Sequence, residues 1–271
     1  METAENILFT LAMAGYFAAM GLYFVFLGAR KEKAAGIAGW VMTGALAAHT
    51  GALVIRGIAA GRVPMTNQYE FATCFAWALG LVSLGFLRKY RIPVLGAFAA
   101  PVIFLIMGYA ATQNRAVRPL MPALQSGWLV FHVSTAILSY GAFGVSFVLA
   151  LMYLMRDRFR ENSYADRVFP DREHLDRMGY RSVCLGLLFL TMTIITGAFW
   201  AKKCWGSYWS WDPKETWSLV TWIVYAAYLH LRKMRGWQGK GAAIFAAVGF
   251  LCVIFTYLGV NTFLPGLHSY A

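Results

Sequence analysis

The sequence predicts an all-α, polytopic integral membrane bundle of about eight transmembrane helices, and three observations carry that prediction. Of 271 residues, 59% are hydrophobic and only 13% are charged, against about 25% charged in a soluble domain. The apolar residues fall into runs of about 20, the length a helix needs to cross a bilayer. The basic residues gather in alternate connections between those runs. A soluble fold of this length would need a polar surface for which charges are lacking, so residues 1–271 read as a single membrane domain.

In chain order the spans fall near 7–28, 37–57, 68–87, 92–111, 128–154, 180–200, 212–232 and 241–260. Residues 1–6 hold two glutamates and no Lys or Arg, the reverse of a secretory leader, so the first run is expected to stay as a helix. Glycines within the runs, and Pro101 within the fourth, suit close packing between membrane helices. The fifth run is long enough to tilt or to project beyond the bilayer.

Loop charge predicts the orientation. The connections near 29–36, 88–91, 155–181 and 232–240 hold 17 of the 24 Lys and Arg residues. By the positive-inside tendency they face the cytoplasm, which leaves both termini outside. The formal net charge of +12 follows from that bias and from attraction to anionic lipid, so nucleic acid is not expected as a partner. Residues 155–179, with His174 among them, read as a solvated connector or short amphipathic element. Cys74, Cys184, Cys204 and Cys252 contain no CxxC, so neither a zinc knuckle nor a redox pair is indicated. Cys204 is expected in a loop.

The external segment KKCWGSYWSWDPKETW, residues 202–217, is the most informative stretch. Six of the ten tryptophans lie between Trp200 and Trp222. An interfacial belt explains a few of them, but it explains less well why Trp205, Tyr208, Trp209 and Trp211 crowd one connection. A flat apolar ligand at the outer surface would account for the excess. At the end of the segment Asp212, Pro213 and Glu215 spell a capping box with proline at the first helical position. The loop should therefore be a shelf held by a rigid helix entrance.

Histidines sharpen the ligand reading. His132 near the start of the fifth span and His268 in the tail share the side of the Trp-rich loop, and could supply two axial nitrogens to a haem. Each could equally be an ordinary interfacial or tail residue. His49 and His230 lie within spans, where ionisable groups default to functional hypotheses. At about 1.5 Å per residue, counting places His49 roughly 9 Å deeper from the inner face than His230, so a shared iron would require helix tilt. Asn67 and Glu70, in GRVPMTNQYE, mark the outer edge. Arg56, Arg62, Arg115 and Arg118 near it could meet haem propionates or lipid phosphate.

WGSYWSWDPKETW resembles the tryptophan-rich "WWD" signature of haem-handling proteins in cytochrome c maturation. With PMTNQYE, WLVFH at 128–132, YLHLR at 228–232 and GLHSY at 266–270, the pattern is similar to the CcsA/ResC family over nearly the whole chain. The resemblance implies haem b as the bound group, with His132 and His268 as ligands of an external iron. It also implies His230 and His49 as ligands in an earlier, intramembrane position. It implies a CcsB/ResB-type membrane partner, apocytochrome c with its CxxCH thiols, and accompanying thiol-reducing maturation proteins. The chain would be part of a cytochrome c synthase of the haem lyase type, in a bacterial cytoplasmic or a thylakoid membrane. A CcmC-type haem exporter or chaperone is the nearest alternative. A bis-haem electron carrier is a second, which stable retention of two haems and rapid exchange with quinol would distinguish.

Overall fold

A computed structural model describes residues 1–117, 119–156, 158–160, 163–264 and 266. Among these the regular structure is entirely helical, in the order α1 (Glu2–Ala29), α2 (Glu32–Ala60), α3 (Gln68–Tyr90), α4 (Val94–Thr112), a 3-10 turn (Pro122–Leu124), α5 (Gly127–Arg156), α6 (Tyr164–Val168), α7 (Arg172–Trp205), α8 (Pro213–Arg235) and α9 (Lys240–Ile254). A π-helical turn (Phe255–Gly259) and α10 (Val260–Phe263) carry the line of α9 onward.

Seven helices, counting Lys240–Phe263 as one, are long and apolar enough to cross a membrane. At 23 residues, α8 also has the length required. Its average polarity is raised by Lys214 and Glu215 at one end and by Arg232, Lys233 and Arg235 at the other. The chain is thus a polytopic membrane bundle of about eight spanning helices. Helix α7 runs 34 residues and overshoots the expected span at both ends, taking in residues 172–179 of the charged connector, which also carries α6. Ser163 caps α6 by accepting from the Asp166 amide, and the Asp166 carboxylate binds Arg156 at 2.6 Å.

The chain divides into two compact units. The first comprises residues 1–64, 68–117 and 155–172, hence α1 to α4 with α6. Small residues let its helices approach closely: a Cβ added at Gly96 would fall 2.1 Å from the Tyr23 ring, and one at Gly15 would fall 2.7 Å from the Ala45 Cβ. The second comprises 65–67, 118–154 and 173–271, hence α5, α7, α8 and α9. Its core pairs Phe143 of α5 with Tyr225 of α8 in a stack 3.7 Å apart. Tyr225 also covers Gly249 of α9, where a Cβ would sit 2.6 Å from its ring. Helices α5 and α7 are joined by hydroxyl-to-carbonyl bonds from Ser139 to Gly186 and from Ser182 to Ala142, at 2.9 and 2.8 Å. Such bonds satisfy polar groups that have no water to turn to inside a bilayer.

Candidate functional site

In the second unit His132 sits on the first turns of α5, and three features fix its ring. Its Nδ1 lies 2.8 Å from the Thr193 carbonyl oxygen on α7. A carbonyl only accepts, so Nδ1 carries the proton and a neutral imidazole keeps its lone pair on Nε2. The ring stacks on Trp200, with centroids 5.8 Å apart and planes 17° from parallel. Gly197 supplies the space: a Cβ there would lie 2.7 Å from Nδ1 and 2.8 Å from Cε1.

Trp200 is 1% exposed and meets Trp205 edge to face at 4.9 Å. Lys202, Cys204 and Trp205 belong to the last turn of α7, so the expectation that Cys204 lies in a loop is corrected. At this end Trp200 packs on Trp205, the Gly206 amide donates to the last-turn carbonyl of Lys202 at 3.1 Å, satisfying an orphan acceptor, and Lys202 Nζ donates to the Gly206 carbonyl at 2.8 Å. The aromatic connection itself is short. Tyr208 is 55% and Trp211 69% exposed, and Trp209 meets Trp211 at a right angle. Trp128 stacks on Phe199 at 5.1 Å, and Phe199 meets Tyr208 edge to face. These rings form a partly exposed aromatic shelf.

The shelf is held by charge-assisted bonds. Asp212 accepts from the Lys214 amide at 2.9 Å and completes a capping box with Glu215. Glu215 Oε2 in turn accepts from the amides of Ser210 and Asp212 at 2.8 and 3.2 Å. Trp211 adopts φ 59°, a left-handed conformation costly for a bulky side chain, and it is gripped between those two amides. Strain of this kind concentrates where a side chain must be aimed.

Two further segments reach the same unit. Gly266 packs so closely on Asp212 that a Cβ would lie 2.5 Å from Oδ2. His268, two residues on, lies outside the described residues, as does Arg118. Met65 accepts from the Ser134 hydroxyl at 3.6 Å, which brings the PMTN segment, with Asn67, to α5 two residues from His132. His230 is exposed on α8. Its neighbour Arg232 is paired with Asp176 of α7 and lies 4.8 Å over the Tyr180 ring.

In the first unit His49 is fully buried, with Nδ1 3.3 Å from the Tyr16 hydroxyl. Its Nε2 has no partner in good hydrogen-bond geometry, although the Thr73 backbone lies near the ring. Arg56 and Arg62 are not turned to an external anion. Arg56 Nε donates to Glu70 at 3.0 Å and Arg62 Nη1 at 2.8 Å, while Glu5 lies 3.6 Å from Arg56 and accepts from Tyr69 at 3.1 Å. Both arginines are thus paired with carboxylates of the chain itself, where the sequence had offered haem propionates or lipid phosphate as their partners. Glu70 is the hub of that cluster.

Residues 65–268 match the model of the family described as cytochrome C assembly protein. The chain belongs to that family. Similar relatives include the "Cytochrome c biogenesis protein CcsA" of Prochlorococcus marinus (strain NATL1A), 41% identical over 82% of this chain and 80% of the relative. The protein of that name from Synechococcus sp. (strain CC9605) is 36% identical over 100% of this chain and 98% of its own length. These place the chain in the CcsA branch. A solved structure of "Cytochrome c Heme Lyase CcmF" shares the fold, with a TM-score of 0.74 at 17% identity, over 94% of this chain and 46% of that one.

Proposed function

We propose that, within the haem-handling role of its family in cytochrome c maturation, this chain holds haem b at the aromatic shelf of the second unit. His132 and His268 are assigned as the residues that would hold the iron. The observation that carries this reading is the pinned tautomer of His132. The Thr193 carbonyl holds the proton on Nδ1, leaving Nε2 as the basic nitrogen an iron requires, and the stack on Trp200 fixes the ring's direction. The exposed faces of Tyr208 and Trp211 would meet the flat macrocycle and exclude water from one side of it. The return of Gly266 to Asp212 brings the tail to the capping box and supports His268 as the second ligand.

The haem supplies the vinyl groups, and the apocytochrome supplies the CxxCH thiols. The chain's own residues would hold and orient the haem, with His132 and His268 offering imidazole nitrogens to the iron, a pairing that would keep it from oxygen chemistry. No side chain here needs to act as nucleophile or base. Thioether formation is assigned to the complex with a CcsB/ResB-type partner, in which this chain is the haem-handling subunit.

His49 is assigned as an intramembrane ligand in the first unit, because a buried imidazole nitrogen without a good partner is costly unless something else binds it. His230 is assigned to the intramembrane stage on its exposure along α8.

The test is co-expression with a CcsB-like partner and a cytochrome c reporter, comparing H132G, H268G, H49G and H230G. H132G and H268G should lose the bis-histidine spectrum and cut cytochrome yield more than tenfold, with recovery on adding imidazole. H49G and H230G should load less haem overall. Normal spectra and yield in both outer variants would remove the assignment. We assign the chain to a bacterial cytoplasmic membrane, with a thylakoid membrane as the alternative, and the Trp-rich loop to the extracytoplasmic side. A cysteine at 207 should then react with an impermeant reagent in intact cells, whereas one at 165 should react only after lysis.

A further inference from the structure

The first unit carries a groove that the haem-handling reading does not use. It measures about 380 Å³ and runs between α1 and α4, with Phe9, Ala14, Phe17, Phe104, Ala111 and Arg115 among its walls. Its floor and sides are apolar, and one end is cationic. At that end Arg115 lies 4.4 Å over the Phe9 ring and 5.3 Å over Tyr69, and it donates to Asn6 Oδ1 at 2.9 Å. At the other end Phe17 and Phe104 close the groove with rings 5.2 Å apart.

The charge of Arg115 sets it apart from its neighbours. Glu5 and Glu70 are engaged by Arg56, Arg62 and Tyr69. Among the described residues Arg115 forms no ion pair, and its one side-chain hydrogen bond goes to a neutral amide. A guanidinium held over two aromatic faces with donors to spare is a receptor for a phosphate or carboxylate.

Length decides what the anion is attached to. From Asn6, level with the guanidinium, to Phe17 is eleven residues of α1, or about 16 Å at 1.5 Å per residue. Half of a hydrocarbon core about 30 Å thick is about 15 Å. The groove is therefore one leaflet deep, with its cation at the headgroup level and its aromatic floor near the midplane. We propose that it is a binding site for one anionic phospholipid of the leaflet at the N-terminal end of α1, the extracytoplasmic one on the orientation given by loop charge. Arg115 takes the phosphate, and one acyl chain lies against Phe9, Ala14 and Ala111. The site anchors α1 to α4 at the end where the buried charge cluster also lies.

The test uses the full-length chain in nanodiscs of phosphatidylcholine containing a minor fraction of phosphatidylglycerol. Native mass spectrometry then counts the lipids that survive mild release. The wild type should keep one phosphatidylglycerol in preference to phosphatidylcholine. R115Q should lower that preference about fivefold, the factor that corresponds to about 1 kcal/mol for one basic group at an anionic surface, and R115K should retain most of it. Ala14→Phe, a change at an exposed groove position, should abolish retention, while K203Q at an exposed position of the second unit should change nothing. If R115Q proves unstable, the contrast between R115K and Ala14→Phe still decides. Equal retention in wild type and Ala14→Phe would overturn the site. Loss in Ala14→Phe with undiminished phosphatidylglycerol preference in R115Q would overturn the anionic assignment. Displacement of the lipid by added haem at stoichiometric amounts would show the occupant to be haem and overturn the proposal.

Discussion

The two units handle polar groups inside a membrane protein in opposite ways. In the first, Glu5, Arg56 and Glu70 are 3%, 2% and 0% exposed and satisfy one another, so their charges are spent within the unit. In the second, the aromatic connection after α7 remains partly open, with Tyr208 and Trp211 exposed and Trp211 in a left-handed conformation. The histidines follow the same division. His49 meets a hydroxyl, which can donate or accept and so leaves the tautomer undecided. His132 meets a carbonyl, which decides it. A self-satisfied buried cluster is a structural device, whereas a ring of fixed tautomer in the same unit as an exposed aromatic connection is the basis of the haem site proposed above.

The sharpest way to break this comparison is Glu70→Ala. It would strip the half-buried Arg62 of its carboxylate and leave the buried Arg56 with Glu5 alone, 3.6 Å away, and removing one partner of a buried ion pair costs roughly 3–5 kcal/mol. Thermal unfolding should therefore fall well below wild type, with little folded protein recovered. A stable Glu70→Ala protein would mean that the cluster is not structural.

Gly197→Ala sharpens the other side. The added methyl would overlap the His132 ring, with overpacking of this kind costing about 1–3 kcal/mol, and the ring would leave the Thr193 carbonyl. Nitrogen-15 spectra of histidine-labelled, haem-free protein should show the protonated Nδ1 of His132 disturbed, and haem content should drop more steeply than stability. An unchanged His132 signal would argue that α7 simply shifts to accommodate the methyl.

The smallest effect is expected from the capping box. Asp212→Ala should cost about 1 kcal/mol at the entrance of α8 and lower haem retention by loosening the shelf. Asp212→Asn keeps the acceptor and should restore both stability and retention. If Asn restores stability alone, the carboxylate's charge has a separate part in holding the ligand.

Local rules made the helices and the cap readable in advance. Runs of apolar residues must become helix in a bilayer because the backbone has no other hydrogen-bond partner there. The Asp212–Glu215 box closes over three residues, so its chemistry is complete within the motif. The aromatic crowding of residues 205–211 and the presence of His132 were also visible. Composition and periodicity did not place the C-terminal end of α7, where Trp200 packs on Trp205 and Cys204 lies inside the helix rather than in a loop.

What only the tertiary structure decided depends on partners distant in sequence. Glu5 and Glu70 reach Arg56 from 51 and 14 positions away, which turned two apparent ligands for an external anion, Arg56 and Arg62, into members of a buried network and left Arg115 at the mouth of a groove. Thr193 and Gly197 reach His132 from 61 and 65 positions away. Neither carries a signal of its own, since a threonine carbonyl and a missing methyl are common features of any membrane helix. They acquire meaning when α7 is laid against α5, because helix packing brings backbone and side chain together at a register that no local pattern encodes.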